Sequence, residues 1–155
     1  MRKIGVTLLV AAFSFLSFAP AALAQDWSES ELQEMYMEYL NDEGLDDAFI
    51  DSDGDIQFTY NDYNFFVEVN EDDNEFFRVV MFGFWPIESQ TEAVQVAFAC
   101  DEVNRQMKVA KANTVDDSVW ISCELFLGRP DHFKAVFWRC MNSIESGFDT
   151  FIEEM

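Results

Sequence analysis

From Phe76 to Trp85 the chain places eight apolar side chains in ten residues, interrupted only by Arg78 and Gly83. A run this dense in aromatic and β-branched residues is a strand, and Pro86 marks its end. Its two faces are both apolar. Phe77, Val79 and Met81 fall on one side, and Phe76, Val80, Phe82 and Phe84 on the other. A strand with helices packed on one face only should alternate apolar with polar residues. The same pattern recurs where Ile121, Cys123 and Leu125 oppose Trp120 and Phe126, and where Phe66 opposes Phe65 and Val67. The second face is therefore expected to carry a cluster of Phe66, Val80, Phe82, Phe84, Trp120 and Phe126, with Glu68, Arg78, Ser122 and Glu124 interspersed. Either a terminal helix or a curling edge strand covers that cluster, or it meets a protein partner or a second copy of the chain. Apolar patches rimmed by charge mark interfaces.

The rest of the chain supplies one α+β domain. Ser28 and Ser30 each stand three residues before Glu31 and Gln33, the capping-box spacing. Leu32, Met35, Tyr36, Tyr39 and Leu40 follow at helical spacing, with Gly44 as the stop. Residues 46–54 read as an acidic loop. Ile56, Phe58 and Tyr60 alternate with polar residues, Asn61-Asp62 forms a two-residue turn, and Tyr63, Phe65, Val67 and Val69 return as a hairpin. Ser89 and Glu92 open a second helix running to about Met107, with Ala93, Val96, Cys100, Val103 and Met107 as its apolar stripe. Two strands, Val109–Val115 and Val119–Leu127, flank the turn Asp116-Asp117. Pro130 then starts a long final helix presenting Phe133, Val136, Phe137, Cys140, Met141, Ile144 and Phe148. The expected order is α-β-β-β-α-β-β-α, an antiparallel sheet packed by helices.

Residues 1–24 read as an address. Arg2 and Lys3 precede an apolar, small-residue run from Ile4 to Ala19, Pro20 breaks it, and Ala22-Leu23-Ala24 has the pattern of a cleavage site. This is a Sec-type signal peptide, with cleavage expected after Ala24 and a periplasmic or secreted destination. The run is short for a membrane span and no basic residue follows it closely, so no stable membrane insertion is expected after cleavage.

The chain has 30 Asp and Glu against 9 Lys and Arg, a net charge of −21. Cleavage would remove Arg2 and Lys3 and no acid, leaving 7 basic residues and a net charge of −23. Nucleic-acid binding needs basic clusters to meet phosphate, so that class is excluded. The 25 aromatic residues exclude a disordered acidic tail. The acids gather in the loops, which makes them a solubilising surface around an apolar sheet and favours a basic or neutral partner.

Several segments together resemble a known family. These are Asp51-Ser52-Asp53-Gly54-Asp55-Ile56 before an aromatic strand, Glu71-Asp72-Asp73 before Phe76-Phe77-Arg78, Glu102-Val103-Asn104-Arg105 at a helix end, and the Lys108–Leu127 hairpin with Trp120. In this order they resemble the YbjN-like family of bacterial sensory transduction regulators, over about residues 28–155. The resemblance implies a fold similar to that of the chaperones of type III secretion effectors. It brings no catalytic residues with it.

Candidate chemistry is sparse. Asp51, Asp53 and Asp55 have the 1-3-5 spacing of a calcium loop with Asp62 at position 12. Ile56 stands where such a loop needs glycine, so a solvated acidic turn is the expectation. His132 has no nucleophile, zinc-helix or phosphate-loop motif beside it. Cys100, Cys123 and Cys140 each lie on an apolar stripe, without metal-ligand or C-x-x-C spacing. Burial as free thiols is one outcome; a disulfide between Cys100 and Cys140 is the other that export would permit. No catalytic residue, metal or cofactor is expected. The sequence thus describes an exported, non-enzymatic protein-binding domain with a chaperone-like or regulatory role, acting through an apolar sheet face or helix groove. A periplasmic protein binding lipid or another small hydrophobic ligand is the alternative.

Overall fold

The computed structural model describes residues 27–155; the signal peptide expected over 1–24 lies outside them. Helix α1 spans Glu29–Asp42 and begins in a complete capping box. The Ser28 hydroxyl accepts from the Glu31 amide, and the Glu31 carboxylate accepts from the Ser28 amide at 2.9 Å. Its end is sealed by bonds from Gly44 N–H to the Asn41 carbonyl and from Leu45 N–H to the Leu40 carbonyl, the paired arrangement that satisfies orphan carbonyls.

The acidic loop holds a short strand that its sequence did not reveal. β1 is only Phe49–Ile50 and pairs with β2, Ile56–Tyr60. β3 follows as Tyr63–Val67, with Asn61 and Asp62 both at positive φ in the turn, as a two-residue hairpin requires. β4 spans Phe76–Pro86, α2 Gln90–Gln106, β5 Ala110–Val115 and β6 Ser118–Phe126. All neighbouring strands are antiparallel, in the order β1-β2-β3-β4-β6-β5.

The long final helix is in fact two elements. A 3₁₀ helix over Pro130–Ala135 precedes α3, Phe137–Glu154. Val136, at φ −118°, breaks the register between them. The break lets Phe133 turn between Tyr36 and Tyr39 of α1, with ring centroids 4.7 and 4.8 Å away, while Phe137 reaches Phe58 of the sheet. The core is one cluster on one side of the sheet. It joins Leu32, Tyr36 and Leu40 of α1, Val96 and Val103 of α2, and Met141, Ile144 and Phe151 of α3 to the inward residues of the strands.

Candidate protein-binding face

Alternation along β3, β4 and β6 sends Phe65, Val67, Phe77, Val79, Met81, Ile121 and Cys123 to that core. The opposite parity forms a second cluster. Phe66, Phe82 and Trp120 sit at the corners of a near-equilateral triangle, with ring centroids 5.7, 5.8 and 5.8 Å apart. Beneath it, Phe66, Val80 and Ser122 are cross-strand neighbours in one row of the sheet. Val80 is 0% and Ser122 2% exposed, so the middle of this face is covered although no helix packs on it. Phe82 and Trp120 remain half-buried, and the Trp120 indole N–H is held by the Ser118 hydroxyl at 3.1 Å.

An ionic strip borders the triangle. Arg78 Nη1 donates to Glu68 Oε2 at 3.0 Å, and Arg78 Nε lies 3.2 Å from Glu124 Oε1, close enough for an ion pair but not aligned as a hydrogen bond. The guanidinium carbon also stands 5.9 Å from the Phe66 ring centre, within cation–π range. Glu124 accepts from the Ser122 hydroxyl at 2.8 Å. Glu68, Arg78 and Glu124 are part-exposed, and surface pairs of this kind contribute about 0–1 kcal/mol each. Their effect here is on position: the two carboxylates hold the guanidinium beside the Phe66 ring.

Of the six residues expected on this face, Phe84 stands elsewhere and Phe126 stands apart from the triangle. Phe84 is turned to the helix side, where its ring meets Phe148 and Phe151 of α3 at 5.3 Å each. A break in register between Met81 and Trp85, with Gly83 at φ +64°, inverts the parity of the strand end. Phe126 is on the expected side but away from the triangle. It pairs with Phe76 at 5.4 Å and is 80% exposed. The structure therefore brings Phe66, Val80, Phe82 and Trp120 together, and adds Phe76 beside Phe126.

One further apolar feature escaped the sequence. Val94 and Phe98 on α2 are 57% and 72% exposed, four residues apart on the helix side away from Val96, Ala99 and Val103. Only their lying outside the buried stripe could have signalled them.

The other sequence candidates have structural employment. Asp51 accepts from the amides of Asp53 and Asp55 and from the Gln57 side chain at 2.7–3.1 Å, so its carboxylate closes the turn into β2. Among the described residues no group of three or more His, Cys, Asp or Glu is placed to hold a metal ion. His132 is exposed in the 3₁₀ helix, beside an Asp131 that pairs with Arg129 at 3.0 Å. The cysteines are all free and buried, and the Cys100–Cys140 bridge is not formed. α2 and α3 both turn their cysteines towards the sheet, so the thiol that Cys140 meets is Cys123 of β6. Contact with Cys140, together with burial, holds the Cys123 thiol far above the usual range, and burial pushes Cys100 up to about 11.

The sequence profile of a family described as "Putative bacterial sensory transduction regulator", YbjN, matches residues 33–125. The chain belongs to the YbjN family. A crystal structure of YbjN from E. coli, described as "a putative transcription regulator", superposes with a TM-score of 0.55 at 15% identity, covering 77% of this chain and 88% of that one. At that identity the likeness concerns the fold. No curated protein matches the chain. The segments that carry the YbjN resemblance act structurally here. Gln33 of α1 donates to the Gly54 carbonyl at 3.0 Å, and the Glu71 carboxylate accepts from the Glu29 amide at 3.0 Å, at the helix end where a negative charge is favourable. Asn104 braces β5. These bonds hold α1 and α2 to the sheet, while Arg78 and Trp120 of the same YbjN segments stand on the aromatic face.

Proposed function

We propose that this YbjN-family chain is an exported, non-enzymatic regulator that binds a protein partner through the sheet face built on Phe66, Phe82 and Trp120. The observation that carries the reading is that every helix among the described residues packs on the other side of the sheet, while this side carries three aromatic rings, a held guanidinium and an 80% exposed Phe126. Rigid aromatics with an adjacent arginine are the residue types that concentrate binding energy at interfaces. The −23 charge of the processed chain opposes self-association and favours a partner with a neutral or basic surface. Export rests on the basic start, apolar run and Ala22-Leu23-Ala24 of the N-terminus. The likeness to type III effector chaperones implied by the sequence fits a protein-holding role. A lipid would instead need an apolar cavity. On this face Phe66, Phe82 and Trp120 fill the space above Val80 with their own rings, which favours the protein-binding reading.

The test is photo-crosslinking in cells from Trp120, with Asp101 on the exposed side of α2 as the control position. The reading expects a discrete partner that crosslinks from Trp120, not from Asp101, and is lost on Phe82→Ser. A strict monomer by light scattering that crosslinks to nothing and binds no hydrophobic dye would overturn it.

A further inference from the structure

On the helix side, where the β2–β3 turn leans on α3, a cavity of about 330 Å³ opens between Tyr60, Tyr63, Phe65 and Phe148, with Glu145 and Asp149 at its rim. We propose that this cavity is a binding site for a small organic ammonium ion, of the quaternary or methylated type. The reading is independent of partner binding on the opposite face.

Two unrelated features converge there. The first is aromatic. Tyr63 and Phe148 stand 4.9 Å apart at 55°, and Tyr60 meets Phe65 at 6.2 Å and 68°. The planes within each pair are inclined by more than 50°, and all four rings line the cavity. A cation there lies against several aromatic side chains at once, the kind of lining by which aromatic cages recognise methylated ammonium groups. Tyr60, Tyr63 and Phe148 are all half-buried and all line the cavity.

The second is charge. No Lys, Arg or His lines the cavity, and no ion pair among the described residues neutralises Glu145 or Asp149. Glu145 is held in place by Asn61, whose side-chain amide donates to it at 2.8 Å across the mouth, and an amide leaves the carboxylate charge intact. A cation in the cavity therefore gains two fixed counter-charges and pays for no displaced partner. A neutral apolar guest would face those carboxylates without benefit, and an anion would be repelled. The volume is at the lower end of ligand pockets, which fits a choline-sized ion and not a lipid chain. Met81 forms part of the inner wall, and its neighbours Val80 and Phe82 belong to the opposite face, so one strand borders both sites.

Choline is the probe, and its neutral isostere 3,3-dimethyl-1-butanol is the comparison. Titrations of the purified protein are followed by amide chemical shifts at physiological salt. The expected result is saturable choline binding with shifts confined to the β2–β3 turn and α3, and affinity for the isostere lower by about tenfold. Glu145→Gln with Asp149→Asn, both part-exposed or exposed positions, should weaken choline by a similar factor at unchanged melting temperature. Tyr63→Leu should do the same by removing one ring. Absence of saturable binding overturns the proposal. So does equal affinity for the isostere, which would make the cavity merely apolar. Equal weakening by Asp72→Asn with Asp73→Asn, exposed in the β3–β4 loop at the other end of the sheet, would reduce the effect to bulk charge and also overturn it.

Discussion

The side-chain amide of Asn104 bonds to the backbone of Ala112 in both directions, donating to its carbonyl and accepting from its N–H at 2.9 Å each. Ala112 lies on β5, the edge strand of the sheet. Asn104 thus occupies the place a further strand would take and blocks one point of edge-to-edge pairing. Asn104→Ala should cost about 1–2 kcal/mol through two lost bonds, and Asn104→Asp should not rescue it because a carboxylate cannot donate to the Ala112 carbonyl. Thermal unfolding of the three proteins checks this, with a sedimentation test for edge-driven association of the variants.

The two sides of the sheet should respond differently to truncation. Phe84→Ala removes a ring packed on Phe148 and Phe151 and should cost about 3 kcal/mol. Phe126→Ser acts on an 80% exposed side chain and should change stability by less than about 0.5 kcal/mol. Under the proposed function it should nevertheless reduce partner capture or hydrophobic dye binding. Denaturant melts and dye titrations on both variants separate the two roles.

Two glycines at positive φ make a further comparison. A Cβ on Gly83 would meet nothing within 4 Å, so Gly83→Ala carries only the backbone cost, about 1–2 kcal/mol. A Cβ on Gly54, at φ +91°, would come within 2.6 Å of the Glu29 carboxylate and 3.4 Å of the Gln33 amide. Gly54→Ala should be the more damaging, loosening the start of α1. Hydrogen exchange at the α1 amides distinguishes that local loss from global destabilisation.

The acidic turn has two aspartates with opposite pH responses. Burial pushes Asp51 up, but bonds from the Gln57 side chain and the amides of Asp53, Asp55 and Gly54 outweigh it and hold the carboxyl below its ordinary range. A folded value below the unfolded one gives stability that is present at neutral pH and lost as pH falls below about 4 through the folded value. Asp55 is raised, first by burial and then by the charges of Asp51, Glu68 and Asp53, against the single bond from the Val69 amide. Its ionised form therefore costs stability, and the cost is relieved as pH falls through its raised value. Asp55→Asn keeps an acceptor for Val69 and should raise the melting temperature at about pH 7, with the gain vanishing at about pH 3. Asp51→Ala should lower it at the higher pH and converge on the parent at the lower. Melting curves across that range decide both.

The three thiols should all be free. In denaturant without reductant a thiol assay should count Cys100, Cys123 and Cys140, and reductant should not alter the melting temperature. Native alkylation at neutral pH should be slow, since the thiolate is the nucleophile and burial holds Cys100 near 11.

Local chemistry made much of this chain legible. The Ser28 capping box, the Asn61-Asp62 turn, the helix from Ser89 and the apolar sides of β3, β4 and β6 each depend on residues within a few positions of one another, so their spacing alone specifies them. The sequence also showed that a second sheet face would be apolar. It could not show where that face ends. Gly83 inverts the parity of β4 and sends Phe84 to α3; Val136 splits the final helix so that Phe133 can pack between two tyrosines of α1; and a two-residue β1 forms only because β2 is there to pair with it. Each of these is settled by packing between segments distant in the chain. The triangle of Phe66, Phe82 and Trp120 is of the same kind. Its residue types were written in three separate strands, but their meeting above Val80 was decided by strand order and register, which bring β3 and β6 to either side of β4.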